Sequence, residues 1–358
     1  MWMIKTKNNL IGSLRYEKDR KQYVIFCGIL LILQSGLRNI AVGADTYGYK
    51  YKFETDMLRS WSEVFHNIIT VYVDNEGKDA GFTIFNKLVS VFISNYQIYL
   101  ILIAILFFIP FMRFLYLNTK RIEDIMLAML LYQALFYEFF SITGIRQTLA
   151  AACCFSAYEF VKQRRIVPFL TWVLVGTLLH KSCLLFLPFY WIGNYRHVKI
   201  LFIGSLILFP VITALGSRFT QQLVLLSGSD NYLIYINESS RGAFNFLFFL
   251  FATIFIGFYA YKLSIQNDPN RRFVFNACSL AIFFSPLTIN SANLLRVVLY
   301  YDVFLLLLIG FTLEEHKDNT VLRIAKYLFI CAMFFKIVKS NYDYAFYWQY
   351  MALPEHYL

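Results

Sequence analysis

An all-α, polytopic membrane fold follows from three observations. Apolar runs of helical length recur along the whole chain, charge is scarce, and basic residues gather in alternate connecting segments. Hydrophobic residues make up 59% of the 358 and charged residues 15%, with a mean hydropathy of +0.54. A soluble domain carries about a quarter charged residues. With 38 phenylalanines and 19% aromatic content, the apolar surface is too large for a water-facing globule.

Crossing roughly 30 Å of hydrocarbon takes about 17–25 apolar helical residues. That criterion predicts about eleven transmembrane helices, near residues 22–37, 96–117, 124–141, 144–161, 166–180, 182–195, 198–215, 244–262, 273–290, 294–312 and 324–339. Before the first lies a basic region of Lys5, Lys7, Arg15, Lys18, Arg20 and Lys21. No small-residue cleavage pattern follows it, so the first span reads as retained. Residues 38–95 form the first of two longer extracytoplasmic loops, and within it GFTIFNKLVSVFIS (81–94) repeats apolar residues at helical spacing, as an interfacial amphipathic helix does. The fifth and sixth spans are short, tilted or partly re-entrant, and Pro188 interrupts the sixth. The second long loop covers 216–243. No internal repeat divides the chain, which reads as a single membrane domain over 1–358.

The net charge of +11 is explained by lysines and arginines in cytoplasmic segments, which places the N-terminus inside and, for an odd number of spans, the C-terminus outside. No nucleic-acid partner is needed to account for it. The six cysteines all sit in apolar stretches without a CxxC pair, so neither a disulfide framework nor a zinc site is expected. His66, His197, His316 and His356 show no ligand spacing, and no metal or cofactor is expected. P-loop, GxGxxG, GxSxG and HExxH patterns are absent.

Charges at the outer ends of spans are the exceptions that point to function, because an ionisable group in a membrane is costly unless it faces a cavity or a partner. Four segments carry them. LRNIAVGADTYGYKYKF (37–53) places Arg38, Gly43, Asp45, Tyr47 and Tyr49 just beyond span one. A snorkelling arginine and a Gly–Asp turn would explain it structurally, while a guanidinium also suits bidentate phosphate contacts. SITGIRQTLAAA (141–152) puts Arg146 in the first turn of a helix, where a cation is unfavourable unless an anion joins it at the free N–H groups. LLHKSCLLFLPFY (178–190) sets His180 between two apolar runs, as a satisfied structural residue or as a general base. NLLRVVLYYDVF (293–304) carries Arg296 with Tyr300 one turn later, and Asp302 falls on a different face from Arg296.

In this order the four segments resemble the EpsG family of Wzy-like bacterial polysaccharide polymerases, through Arg38, Gly43, Asp45, Thr46 and Tyr49, then Gly144, Ile145, Arg146, Gln147 and Ala150, then His180 and Ser182, then Arg296 and Tyr300. The resemblance implies an all-helical enzyme at the outer face of the bacterial inner membrane. It would transfer an undecaprenyl-pyrophosphate-linked glycan onto a new lipid-linked repeat unit and release undecaprenyl pyrophosphate. A flippase and a chain-length regulator are the implied protein partners. Arg38, Arg146 and Arg296 fit the pyrophosphate, whose charge grows as the glycosidic bond breaks. His180 or Asp45 fits the base that takes the acceptor proton, and Tyr49 and Tyr300 fit sugar faces. A lipid-linked oligosaccharide flippase and an O-antigen-type ligase are the rival readings. A membrane acyltransferase has only His180 in its favour.

Overall fold

The computed structural model describes residues 2–74, 77, 79–227, 268–290, 295–315, 318, 320–340 and 343–353. Among them every regular element is a helix. The first, α1 (Trp2–Gly36), includes the first expected span. The expected outer loop 38–95 contains three helices, α2 (Thr46–Leu58), α3 (Trp61–Tyr72) and α4 (Ala80–Ser90). A capping box at Ser60 and Glu63 starts α3. The amphipathic segment expected over 81–94 is α4, and it stops at Ser90 because Asn95 opens the next helix by accepting from the N–H groups of Gln97 and Ile98.

Then come α5 (Tyr96–Asn118), α6 (Ile122–Leu135), α7 (Ile145–Lys162) and α8 (Ile166–Leu179), which alternate in direction. The run expected as one helix over 124–141 is broken after Leu135 and continues as a π-helical turn, Glu138–Thr143. The short sixth span is a 3₁₀ turn, Lys181–Phe186, followed by the single-turn α9 (Phe189–Ile192) beyond Pro188. α10 (Val198–Ser227) runs past the expected end at 215 into the segment expected as the second long loop. The expected span 244–262 and residues 228–243 lie outside the described residues. Beyond them are α11 (Pro269–Phe284), α12 (Leu287–Asn290), α13 (Leu295–Asp302), α14 (Leu305–Glu315) and α15 (Thr320–Lys339), so the single helix expected over 294–312 is two. Taken one at a time, Tyr96–Asn118 and Val198–Leu215 are long and apolar enough to cross a membrane.

Alternation of α5 to α8 gives the bundle two unlike ends. At one end Arg20 donates to the carbonyls of Tyr116 and Thr119 at 3.0 and 2.9 Å and lies over the Tyr116 ring, while Arg121 pairs with Asp124 and Lys162 with Glu159. Cations at helix C-termini are favourably placed there. At the other end are the C-termini of α1 and α8 and the N-termini of α2, α4, α5 and α7. Between the ends runs a core of rings, in which Phe107, Phe111, Phe114, Phe155, Tyr158 and Phe304 pack at centroid separations of 4.9–6.0 Å. Small residues let the helices close on it. A Cβ at Gly176 would stand 2.5 Å from the Cys183 sulfur and 3.1 Å from the Cys153 Cβ.

Candidate functional site

Asp79, at the end of the bundle opposite Arg20 and Lys162, gathers the site. It precedes α4 in the N-cap position, yet its side chain does not cap that helix. Its backbone has φ 49° and ψ 62°, in the left-handed region, which aspartate tolerates better than most side chains. The carboxylate instead reaches two other elements. Oδ2 accepts from Arg146 Nη1 at 2.7 Å and lies 3.2 Å from His180 Nδ1, while Oδ1 accepts from the Lys181 backbone N–H at 3.2 Å.

Each partner is placed by its own local structure. Arg146 is in the first turn of α7, whose N-cap, Gly144, supplies no side-chain acceptor. His180 ends α8 and also precedes the 3₁₀ turn. Asp79 thus satisfies an N–H at the start of that turn from across the bundle. The close approach depends on Gly81, where a Cβ would stand 2.4 Å from the Leu178 carbonyl oxygen. Burial pushes the Asp79 carboxyl up, but the His180 hydrogen bond, the Arg146 charge and the Lys181 N–H outweigh it, and the group ends below its ordinary value.

Around this core, Arg146 Nε lies 3.4 Å from the Tyr49 hydroxyl, with the guanidinium 5.9 Å from the centre of the Tyr49 ring. The Tyr300 hydroxyl is 3.1 Å from Ser182 Oγ, two residues from His180. Gln147, next to Arg146, donates to the Arg296 backbone carbonyl. The structure therefore brings Arg146, His180, Tyr49, Arg296 and Tyr300 to one place. Asp45 is the N-cap of α2, one turn before Tyr49; its carboxylate is half-buried and caps no N–H group.

Arg38 is elsewhere. Its side chain is fully enclosed, and its Nη atoms donate to the carbonyls of Ser35 at 2.5 Å and Ile142 at 3.2 Å, with a longer contact to Ser35 Oγ. The pocket it lines has a volume of about 10 Å³, room for no more than a water. At Arg38, expected as a pyrophosphate contact, main-chain oxygens accept from both Nη atoms. The turn it holds, 141–144, leads directly into Arg146.

Asp79 is the residue that sequence reasoning missed. Its signal was an aspartate immediately before the apolar helical pattern starting at Ala80, a helix-start mark. That mark specifies a cap, and nothing in it indicates a carboxylate turned away from its own helix. Among the described residues, no group of three or more His, Cys, Asp or Glu is placed to hold a metal ion.

Chemically, the site joins a guanidinium, an imidazole and a carboxylate beside two phenols. It can bind an anion, and it can hold a histidine in one tautomer. No curated protein and no solved structure matches the chain. The model of the EpsG family matches residues 21–351, a range that takes in all four motif segments. The chain belongs to the EpsG family, membrane proteins of polysaccharide biosynthesis.

Proposed function

We propose that this protein is a repeat-unit polysaccharide polymerase with the Asp79–Arg146–His180 cluster as its active site. The substrates are two glycans on polyprenyl pyrophosphate carriers, undecaprenyl in a bacterial inner membrane. The cluster faces outward, the end bearing Arg20 and Lys162 faces the cytoplasm, and the broken and short helices complete the eleven spans. The observation that carries this reading is that one buried carboxylate holds both an arginine and a histidine, the two groups the transfer needs.

In the reaction the bond from the donor's anomeric carbon to the pyrophosphate oxygen breaks, and a bond from that carbon to an acceptor hydroxyl oxygen forms. The leaving pyrophosphate gains negative charge, which Arg146 and Arg296 stabilise. The acceptor proton passes to a base. With Nδ1–H donated to Asp79, His180 presents Nε2 as a lone pair, the arrangement by which a carboxylate orients a general-base histidine. Asp45 is the alternative base, one turn from Tyr49. Asp79 also holds Arg146 in place before substrate arrives, and an incoming phosphate competes for the same guanidinium. Tyr49, half-buried beside Arg146, would meet a sugar face, while Tyr300 is buried and positions Ser182.

The test uses a host that lacks its own polymerase and makes the cognate repeat unit. Wild type should give a ladder of surface glycan. Arg146→Gln and His180→Gln, present at normal membrane levels, should give single units, a loss of about 10²–10⁴-fold in rate for a missing base. Full ladders from both variants would refute the site assignment. Absence of a ladder from wild type, with glycan moved to another acceptor, would favour a ligase.

A further inference from the structure

A groove of about 460 Å³ opens on the side of the bundle between α4, α5, α7 and α8. Each helix contributes a stripe at helical spacing. Along α7 it is Leu149, Ala152 and Cys153, and along α8 Trp172, Val175, Leu178 and Leu179. Both stripes end at the polar cluster. Leu149 follows Arg146 by three residues on the same helix face, and Leu179 adjoins His180. On α4 the lining starts at Gly81, two residues after Asp79. The far wall is α5, with Ile109 and Pro110. From Arg146 to Cys153 the helix rises about 10 Å. Over that distance the lining is apolar, and charge stands only at one end.

We propose that this groove binds the proximal part of a single isoprenoid tail whose phosphate head is held at Arg146. This rests on the reading of the cluster as a lipid-pyrophosphate site and adds where the tail lies. The volume is within the range of about 300–1,000 Å³ typical of ligand sites. Val175, Leu178 and Ile109 are 41, 51 and 59% exposed, so the groove is open to the bilayer along its length and a tail enters sideways. Ala152 and Cys153 are the small side chains of that lining, which suits a methyl-branched chain. A head-to-tail ligand laid down α7 keeps its anion on Arg146 and its apolar part out of the polar cluster, with no bend required.

The experiment uses the full chain in lipid nanodiscs with two photoreactive probes. One is a polyprenyl phosphate with a diazirine near its head, and the other a phosphatidylglycerol with a diazirine on an acyl chain. Adducts are mapped by peptide mass spectrometry. The polyprenyl probe should mark Trp172, Val175, Leu178 or Ile109, and about a hundredfold excess of unlabelled polyprenyl pyrophosphate should reduce that labelling about tenfold or more. Excess phosphatidylglycerol should not. Val175→Trp and Ile109→Trp, on opposite walls and at half-exposed positions, should each reduce it by a similar factor. Ile207→Trp, on the exposed side of α10 and outside the groove, should leave it unchanged. Equal, uncompeted labelling by both lipids would mean that bulk lipid fills the groove and would overturn the proposal. So would full labelling and full glycan ladders from both groove variants, with the polymerase reading left standing. Competed groove labelling in a wild-type protein that makes no ladder would instead refute the polymerase reading and leave the tail site in place.

Discussion

An aspartate that is buried, left-handed in its backbone and turned away from its own helix stores strain of about 1–3 kcal/mol. Its three partners are what offset that cost. Asp79→Asn keeps the shape but leaves Arg146 without its counter-charge, and should lower stability by about 3 kcal/mol, the scale for breaking a buried pair. The folded carboxyl lies below its ordinary value, so its stabilisation is complete above the unfolded value and disappears only as pH falls through the lower folded one. Thermal unfolding in detergent should therefore show the same wild-type-to-mutant gap at pH 6 and pH 8. A gap that changes between those values would show that Asp79, or His180 in contact with it, titrates there. Arg38 gives the opposite kind of prediction. Arg38→Lys should leave the Ile142 carbonyl with Thr46 Oγ1 as its remaining donor, at 3.3 Å, and reduce folded protein by about 1 kcal/mol for the lost hydrogen bond, while turnover per folded molecule stays near wild type. Reduced turnover at full stability would instead put Arg38 in the chemistry. Arg146, His180 and Arg296 were legible in the sequence because charge inside an apolar run is conspicuous. Asp79 was not, because an aspartate in a long polar loop costs nothing visible until folding buries it.

At the level of elements, two close approaches decide the geometry. Gly81 lets the start of α4 meet the end of α8, so Gly81→Ala should force the pair apart at a cost of about 1–3 kcal/mol. The same change should weaken the Asp79–His180 contact, and polymer length should fall more than protein level does. Equal falls would mean that the approach serves stability alone. The second is the π-helical turn 138–143, where a regular helix was expected. Its carbonyls leave the helical ladder and serve other groups: Ser141 O accepts from Ser35 Oγ at 2.7 Å, Ile142 O from Arg38, and Phe140 O from Thr148 Oγ1 at 3.1 Å. Hydrophobic periodicity finds α5, α7 and α8 to within about a residue at most ends. It misses breaks such as this one and the one between α13 and α14, because these depend on distant donors and the apolar pattern continues straight through them.

For the molecule as a whole, the gathering of basic residues in alternate connecting segments is legible in the sequence, and the family relation supports the membrane setting. The helical content of 46–90 was less legible, since α2 and α4 are joined by a buried network of polar groups. There Asp56 accepts from Asn86 at 2.8 Å and pairs with Lys52 at 3.1 Å, while Tyr99 and Asn86 bond at 2.8 Å. Another long-range tie closes the structure at the cluster end. The Asn39 N–H donates to the Ala345 carbonyl at 2.8 Å, the Tyr347 N–H to the Leu37 carbonyl at 2.9 Å, and Asn39 Nδ2 to the Gln349 carbonyl at 2.7 Å. Removing residues 344–351 should cost roughly 2–5 kcal/mol for these bonds, read as a lower unfolding temperature. An unchanged temperature would mean that the strap carries no load.

That strap has a consequence for biogenesis. Its partners are 310 positions apart, so the ribosome releases the first strand of the pair long before the second exists. Until then the segment around Arg38 is left half-clothed, and any insertion chaperone or quality-control protease has that interval in which to inspect it. Chains that stop short would keep the mark of an unfinished protein, and a reporter fused close behind Gln349 would report on this late closure as well as on expression.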